Sequence, residues 1–320
     1  MAQTIRIGGG AKRPDKGSLG KRFARSVRLH WQLYVFIAPI FIFFILFHYA
    51  PLYGVQIAFR DYKAVFGITG SKWVGLKHFR DFFRSYYSMR LIVNTLLLNI
   101  FGLLWSFPIP IFMAILLNQL NNKRAKSFIQ TIIYVPHFIS TVVMVGVLFL
   151  FLSPTSGIIN KALTSLGMKS IFFMIEPGYF RTLFIASDIW QHAGWNTILF
   201  IAALTGIDPE LYEAASVDGA SKTQKIRYID IPHLMPIAAI MLILSCGSML
   251  VSNTDKALLM QTPNNMSVSD IIGVYVYQQG LGKAQFSYTA AINLFVNVVN
   301  FITIMLVNFA SKKLGETSLF

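Results

Sequence analysis

The chain is short of charge. Only 13% of its 320 residues are Asp, Glu, Lys or Arg, about half the ~25% of a soluble domain. Acids are the scarcer kind, 13 against 28 bases. With 55% hydrophobic residues and a mean hydropathy of +0.57, the composition excludes a disordered chain. Despite the net charge of +15, it also excludes a simple nucleic-acid-binding domain. Cysteine is nearly absent. The single Cys246 lies in an apolar run, which excludes an internal disulfide and a cysteine zinc site. A phosphate-cradling loop needs G-x-x-x-x-G-K-[ST]. Gly20-Lys21 is followed by Arg22, with Asp15 five positions before Gly20, and Gly282-Lys283 is followed by Ala284. Nucleotide chemistry therefore has no place in this chain. The six histidines, His30, His48, His78, His137, His192 and His233, are scattered without H-E-x-x-H spacing, and no G-x-S-x-G occurs. That argues against an integral-membrane enzyme.

Long apolar runs are plentiful. A helix needs about 20 apolar residues to cross a hydrocarbon layer of about 30 Å. Six windows qualify, at 33–52, 91–117, 128–152, 183–205, 236–252 and 289–310. Backbone groups in lipid must bond within their own segment, and the alternation of a membrane barrel is missing. The expectation is an all-α integral membrane protein with six transmembrane helices. Pro39, Pro108, Pro110 and Pro136 fall inside the windows, where they kink helices. Residues 1–31 carry eight bases and one acid, Asp15, and read as a basic tail ahead of a membrane domain, 32–310, and a short tail, 311–320. The tail is too long and polar for a cleaved signal peptide. With both termini in the cytoplasm, the inner segments hold 16 Lys and Arg and the outer ones 12. This is a weak bias in the expected direction.

The most informative stretch runs from Asp208 to Pro236. Asp208 is a good N-cap, and Pro209 suits the first helical position. Glu210 and Glu213 complement the helix dipole. Leu211, Ala214 and Ala215 fall on one face. Gly219 ends or bends the helix. Ser221 with Gln224 reads as a capping box opening a second helix, which Pro232 stops. By local physics this is an amphipathic hairpin, 208–234, that could be a plain connector. Its pattern says more. Glu213-Ala214-Ala215, three residues, Gly219, nine residues, then Ile229-Asp230-Ile231-Pro232 resembles the signature of the membrane permease subunits of bacterial ABC importers, E-A-A, G and I-x-L-P. Ile231 for Leu is the one departure. Ala50-Pro51-Leu52-Tyr53-Gly54, Ala58-Phe59-Arg60-Asp61-Tyr62, Trp73-Val74-Gly75-Leu76, Tyr134-Val135-Pro136 and Gly194-Trp195-Asn196 look like the oligosaccharide and polysaccharide branch, which includes alginate importers.

The resemblance implies a type I ABC importer permease fold in the bacterial cytoplasmic (inner) membrane. It implies that Glu213, Ala214, Ala215, Asp218, Gly219, Ile229 and Pro232 form the coupling helix region that meets a separate ATPase. It also implies a second permease, probably a different chain, two ATPase subunits that bind ATP and Mg, and an extracytoplasmic solute-binding protein. No cofactor and no metal are expected in this chain. Glu213 equally serves as dipole partner, and Gly219 as an ordinary helix end.

A sugar path needs flat aromatic faces and amide or hydroxyl groups. Trp190, Gln191, Trp195 and Asn196 in the fourth window, Asn94 and Asn99 in the second, Asn253 after the fifth, and Asn293, Asn297 and Asn300 in the sixth are candidates, because polar groups at membrane depth usually face a cavity. Interhelical hydrogen bonding explains each asparagine as well, and packing or interfacial anchoring explains each tryptophan. Asp188 and His192 in the fourth window are candidates too, and a local pair, four apart, explains them as well. The outer segments carry 12 bases and 5 acids, which suits an anionic, uronate-containing oligosaccharide such as alginate, and equally lipid headgroups or an acidic binding protein. A secondary transporter, or a permease for a non-sugar solute such as a peptide, stays open. The former should show two related halves with broken helices.

Overall fold

The computed structural model describes residues 27–313. Most of the expected basic tail 1–31, and of the tail 311–320, lies outside the described residues. The chain divides between Gln56 and Ile57 into two compact units. In the first, α1 (Trp31–Phe44) contains Pro39 and buries none of its residues. It continues through a wide turn, Ile45–Tyr49, into tighter helical turns, Ala50–Phe59, in which the boundary falls.

The second unit opens with a departure from the all-helical expectation. Strands β1 (Arg60–Lys63) and β2 (Ser71–Trp73) pair antiparallel, with Arg60 opposite Trp73. The Arg60 guanidinium donates to the Thr69 and Ser71 carbonyls, and Gly67, at φ 64°, turns the chain between the strands. The helices follow: α2 (Lys77–Arg84), α3 (Ser88–Ser106), α4 (Pro108–Asn118), α5 (Lys123–Tyr134), α6 (Thr141–Phe151), α7 (Ile158–Ser165), α8 (Pro177–Thr205), α9 (Pro209–Val217), α10 (Lys222–Lys225), α11 (Ile231–Cys246), α12 (Thr254–Met260), α13 (Met266–Ser269), α14 (Ile272–Tyr277) and α15 (Phe286–Lys313).

Among the described residues, four helical stretches are long and apolar enough to cross a membrane: Trp31–Phe59, Ser88–Asn118, Lys222–Cys246 and Phe286–Lys313. The predicted third span is not straight. Lys123–Phe138 and Thr141–Phe151 meet at 98° and make a fifth span if counted together. Pro136 sits in the turn at the break, and Ser140 caps α6 by accepting from the Val143 amide at 3.4 Å. The predicted fifth span ends early, at Cys246, because Gly247 and the polar residues after it leave the helix. Helix α8, at the fourth window, has 29 residues, roughly 43 Å. It is too polar to join the apolar set, carrying Arg181, Asp188, Gln191, His192 and Asn196.

Helix α8 is the centre of this unit and packs on α3, α4, α5 and α11. Leu98, Val145, Phe180, Phe184, Ala257 and Met260 form one core cluster beside it, and Ala114, Phe200, Leu204, Ile207 and Leu234 another. Lipid is as apolar as these side chains, so close van der Waals fit rather than water exclusion holds membrane helices together. Gly194 shows the fit: a Cβ there would overlap the Ile133 carbonyl of α5. Gly194→Ala should therefore cost about 1–3 kcal/mol through overpacking, read as a lower unfolding midpoint of the detergent-solubilised protein. The same change at Gly102, inside α3 with open space around it, should not lower the midpoint, because alanine suits a helix interior better than glycine.

Candidate functional site

The hairpin forms as its caps dictate. Asp208 accepts from the Glu210 amide at 3.0 Å, and Pro209 opens α9. At the other end, Gly219 adopts φ 75°. The Ala220 amide reaches the Ala215 carbonyl at 2.8 Å and the Gly219 amide the Ser216 carbonyl at 3.2 Å, the paired bonds of a Schellman helix end. A side chain at this left-handed position is strained. Ser221 and Gln224 close the capping box in both directions. Glu213, Ala214 and Asp218 are exposed, and Ala215 is half-buried. Leu211 and Val217 are bare as well, Val217 at 88% exposure. The expected stop at Pro232 does not occur. The second helix runs on as Lys222–Cys246, because a wide turn, Ile226–Asp230, precedes Ile231 and Pro232 and changes the register where a proline would lack its amide bond.

The motif also contains an anchor that its spacing does not announce. Asp230 is fully buried. Its carboxylate accepts from the Tyr212 hydroxyl of α9 and from the Gln119 amide, just past α4, at 3.0 Å. Asn118 donates to the Tyr212 hydroxyl at 3.4 Å. Burial, and then the carboxylate beside it, push the Tyr212 phenol up to about 12, so it stays a donor across the physiological range. Ile226 and Ile229 pack below, against Leu204, Ile207 and Leu234. The hairpin is thus tied to the ends of three membrane helices.

Inside the bundle, two cavities adjoin. The first, about 220 Å³, is lined by Asn99, Ser106, Asp188, Ser245, Ser248, Ser252 and Asn253 with Leu98 and Phe184. The second, about 450 Å³, shares Leu103, Ser106 and Ser245 with it and is lined further by Trp195, Asn196 and Met241. Four expected path residues are therefore brought together: Asn99, Trp195, Asn196 and Asn253. The others are not. Gln191 is buried and donates to the Ile139 carbonyl at 2.6 Å. Asn94 donates to the Ser267 and Asp270 carbonyls and accepts from Arg181. Both are interhelical ties. Trp190, Asn293 and Asn297 are exposed and line neither cavity, while Asn300 is buried and accepts from the Leu250 amide. Sequence reasoning missed Ser245, Ser248 and Ser252. Their spacings of three and four were the available signal.

Several helices of membrane length, a polar interior and an exposed helical hairpin define a membrane subunit of transport type. The family model described as binding-protein-dependent transport system inner membrane component matches residues 106–316, and the chain belongs to this family. It is similar to the polygalacturonan/rhamnogalacturonan transport system permease protein YteP of Bacillus subtilis (strain 168), 41% identical over 90% of each chain. Among solved structures, it resembles a bacterial ABC transporter involved in import of the acidic polysaccharide alginate (TM-score 0.84, 34% identity, 91% of this chain and 99% of that one). It matches the alginate transporter in complex with an alginate pentasaccharide-bound periplasmic protein equally well (TM-score 0.85, 34% identity, 93% and 100%). The fold is that of an ABC importer permease, and the chain is a multi-pass membrane permease subunit, not an enzyme.

The anchor generates a prediction. Asp230→Ala leaves the Tyr212 hydroxyl and the Gln119 amide without their acceptor, a loss of about 1–3 kcal/mol. The hairpin should then open more often, and trypsin should cut at Lys222, Lys225 or Arg227 several-fold faster than in the wild type, followed by gel in detergent.

Proposed function

We propose that this chain forms half of an import path for an oligosaccharide, and that its hairpin is the coupling element for separate ATPase subunits. The observation that carries the reading is the hairpin: a small-residue helix, bare at Leu211, Glu213, Ala214 and Val217, yet rooted by Asp230 at the end of α4 and by Ile226 and Ile229 against Leu204 and Leu234. A surface that is both exposed and rigidly connected suits a docked motor. ATP and Mg belong to two partner ATPases. A second permease, a different chain, supplies the other half of the path. An extracytoplasmic solute-binding protein delivers the cargo to the outer loops, above all 53–90. In this reading the chain has six spans and both termini in the cytoplasm, with α8 as the fourth span and the bent pair α5–α6 as the third.

The mechanism is linkage. ATP binding draws the ATPases together, the hairpins follow, and the permease shifts between inward-open and outward-open states. A ligand biases that equilibrium only through its different affinity for the two states. The cargo is an acidic oligosaccharide. The names of the similar permease and the similar solved importer, and the twelve bases against five acids in the outer segments, support it. The adjoining cavities, with Asn99, Asn253 and the serines for hydroxyl groups and Trp195 for a sugar face, form part of the path.

Two experiments test this. Gly219→Trp should leave the protein in the membrane but abolish ATP-dependent, vanadate-sensitive uptake by the purified complex, with ATPase subunits lost or ATP hydrolysis uncoupled. Normal uptake would remove the coupling role. Competition binding to the cognate solute-binding protein should favour acidic over neutral oligosaccharides. A preference for neutral sugars would remove the acidic cargo.

A further inference from the structure

Lys256, on the short helix α12, has no exposed surface at all. Its ammonium donates to the Phe184 carbonyl at 2.9 Å, lies 4.8 Å over the Phe184 ring, and stands 3.5 Å from the Asp188 Oδ1. Asp188 also faces His192, whose Nδ1 is 3.5 Å from the same carboxylate oxygen. The two ends of the pair have different surroundings. Lys256 lies behind the wall, whereas the Asp188 side chain is 37% exposed and lines the 220 Å³ cavity. Among the described residues lining that cavity, Asp188 is the one ionisable side chain. The rest of the polar wall is amide and hydroxyl.

A lone carboxylate in a low-dielectric cavity repels a second carboxylate strongly. A cation immediately behind it cancels most of that field at the distance of a ligand. We propose that Lys256, by pairing with Asp188, sets the charge of this cavity and so decides whether a carboxylate-bearing oligosaccharide can occupy it. Lys256 is a positioning residue in this scheme and touches no sugar itself. Asp188 keeps its capacity to accept hydrogen bonds from sugar hydroxyls, and the lysine removes the repulsion that would otherwise accompany it. A neutral sugar gains the same hydroxyl contacts with or without the lysine, so the pair acts on the discrimination between acidic and neutral cargo rather than on transport as such. The inference rests on the reading of the cavity as part of an oligosaccharide path.

The test is uptake into proteoliposomes by the full complex with its binding protein and ATPases, using an acidic oligouronate and a neutral oligosaccharide of equal length. Lys256→Gln retains a donor for the Phe184 carbonyl and removes the charge. It should lower the acidic-to-neutral uptake ratio about tenfold. The double variant Asp188→Asn/Lys256→Gln removes both charges and should return the ratio to the wild-type value, a rescue that a merely structural role would not produce. Asn253→Asp keeps the helix cap while adding to the cavity wall a second carboxylate beyond the one that Lys256 pairs. It has the same expected effect as Lys256→Gln and carries the test if that variant fails to assemble. An unchanged ratio in the single variants, or a shift that persists in the double variant, overturns the proposal alone. A wild-type complex that imports neither sugar overturns the cargo reading, and this inference falls with it.

Discussion

Asp188, Gln191, His192 and Asn196 project from one helix, and lipid offers none of them a partner. Each unsatisfied polar group at membrane depth is expensive, so α8 cannot sit on the outside of a bundle. It must be enclosed, and α3, α4, α5 and α11 enclose it. The consequences spread outward. Where a neighbour presents a backbone acceptor, the polar group becomes a tie, as Gln191 does with the Ile139 carbonyl. Where a neighbour presents serines and asparagines instead, space is left, and the adjoining cavities appear along the same helix. The interior that suits a solute therefore follows from the same composition that keeps α8 out of the apolar set.

The hairpin solves a complementary problem. Its outer face is bare, and a bare nine-residue helix is marginal on its own. Local caps at Asp208, Gly219 and Ser221 define its ends, but caps do not fix its position relative to the membrane. Asp230 does. Being fully buried, its carboxylate must be satisfied, and its partners come from α9 and from the end of α4. Helix α9 is thereby connected to a helix that lines the cavity, since α11 follows Asp230 directly and carries Ser245 at its far end.

The difference between these two regions explains what could be read in the sequence. The hairpin was legible residue by residue because caps and turns use neighbours within four or five positions, and the Asp208, Gly219 and Ser221–Gln224 chemistry is complete inside that range. Pro232 misled because the rule that proline ends a helix assumes a regular register, and the wide turn before it changes the register. The cavity was only half legible. Asn99 and Asn94 have the same side chain on the same helix, yet one lines the cavity and the other ties three segments together, and the choice depends on Ser252, Ser267, Asp270 and Arg181, all far along the chain. The Lys256–Asp188 pair spans the bundle in the same way. Composition marked the polar residues, but only packing assigns them.

The bend between α5 and α6 follows from the same enclosure. A break in a membrane helix frees backbone groups that lipid cannot satisfy, so it survives only where protein covers it. Pro136 makes the break, and α8 covers it. Gln191 donates to the Ile139 carbonyl freed at the bend, Gly194 lets the α5 backbone come into contact at Ile133, and the Trp195 ring stacks on His137 at 4.4 Å. Three positions on one face of α8, Gln191, Gly194 and Trp195, thus meet the bent pair. A straight third span would leave Gln191 without its acceptor, and an apolar α8 would leave the bend open. Each helix is foreign to lipid by itself, and together they are not, which is why the polar helix α8 and the bent pair α5–α6 occur side by side in this fold.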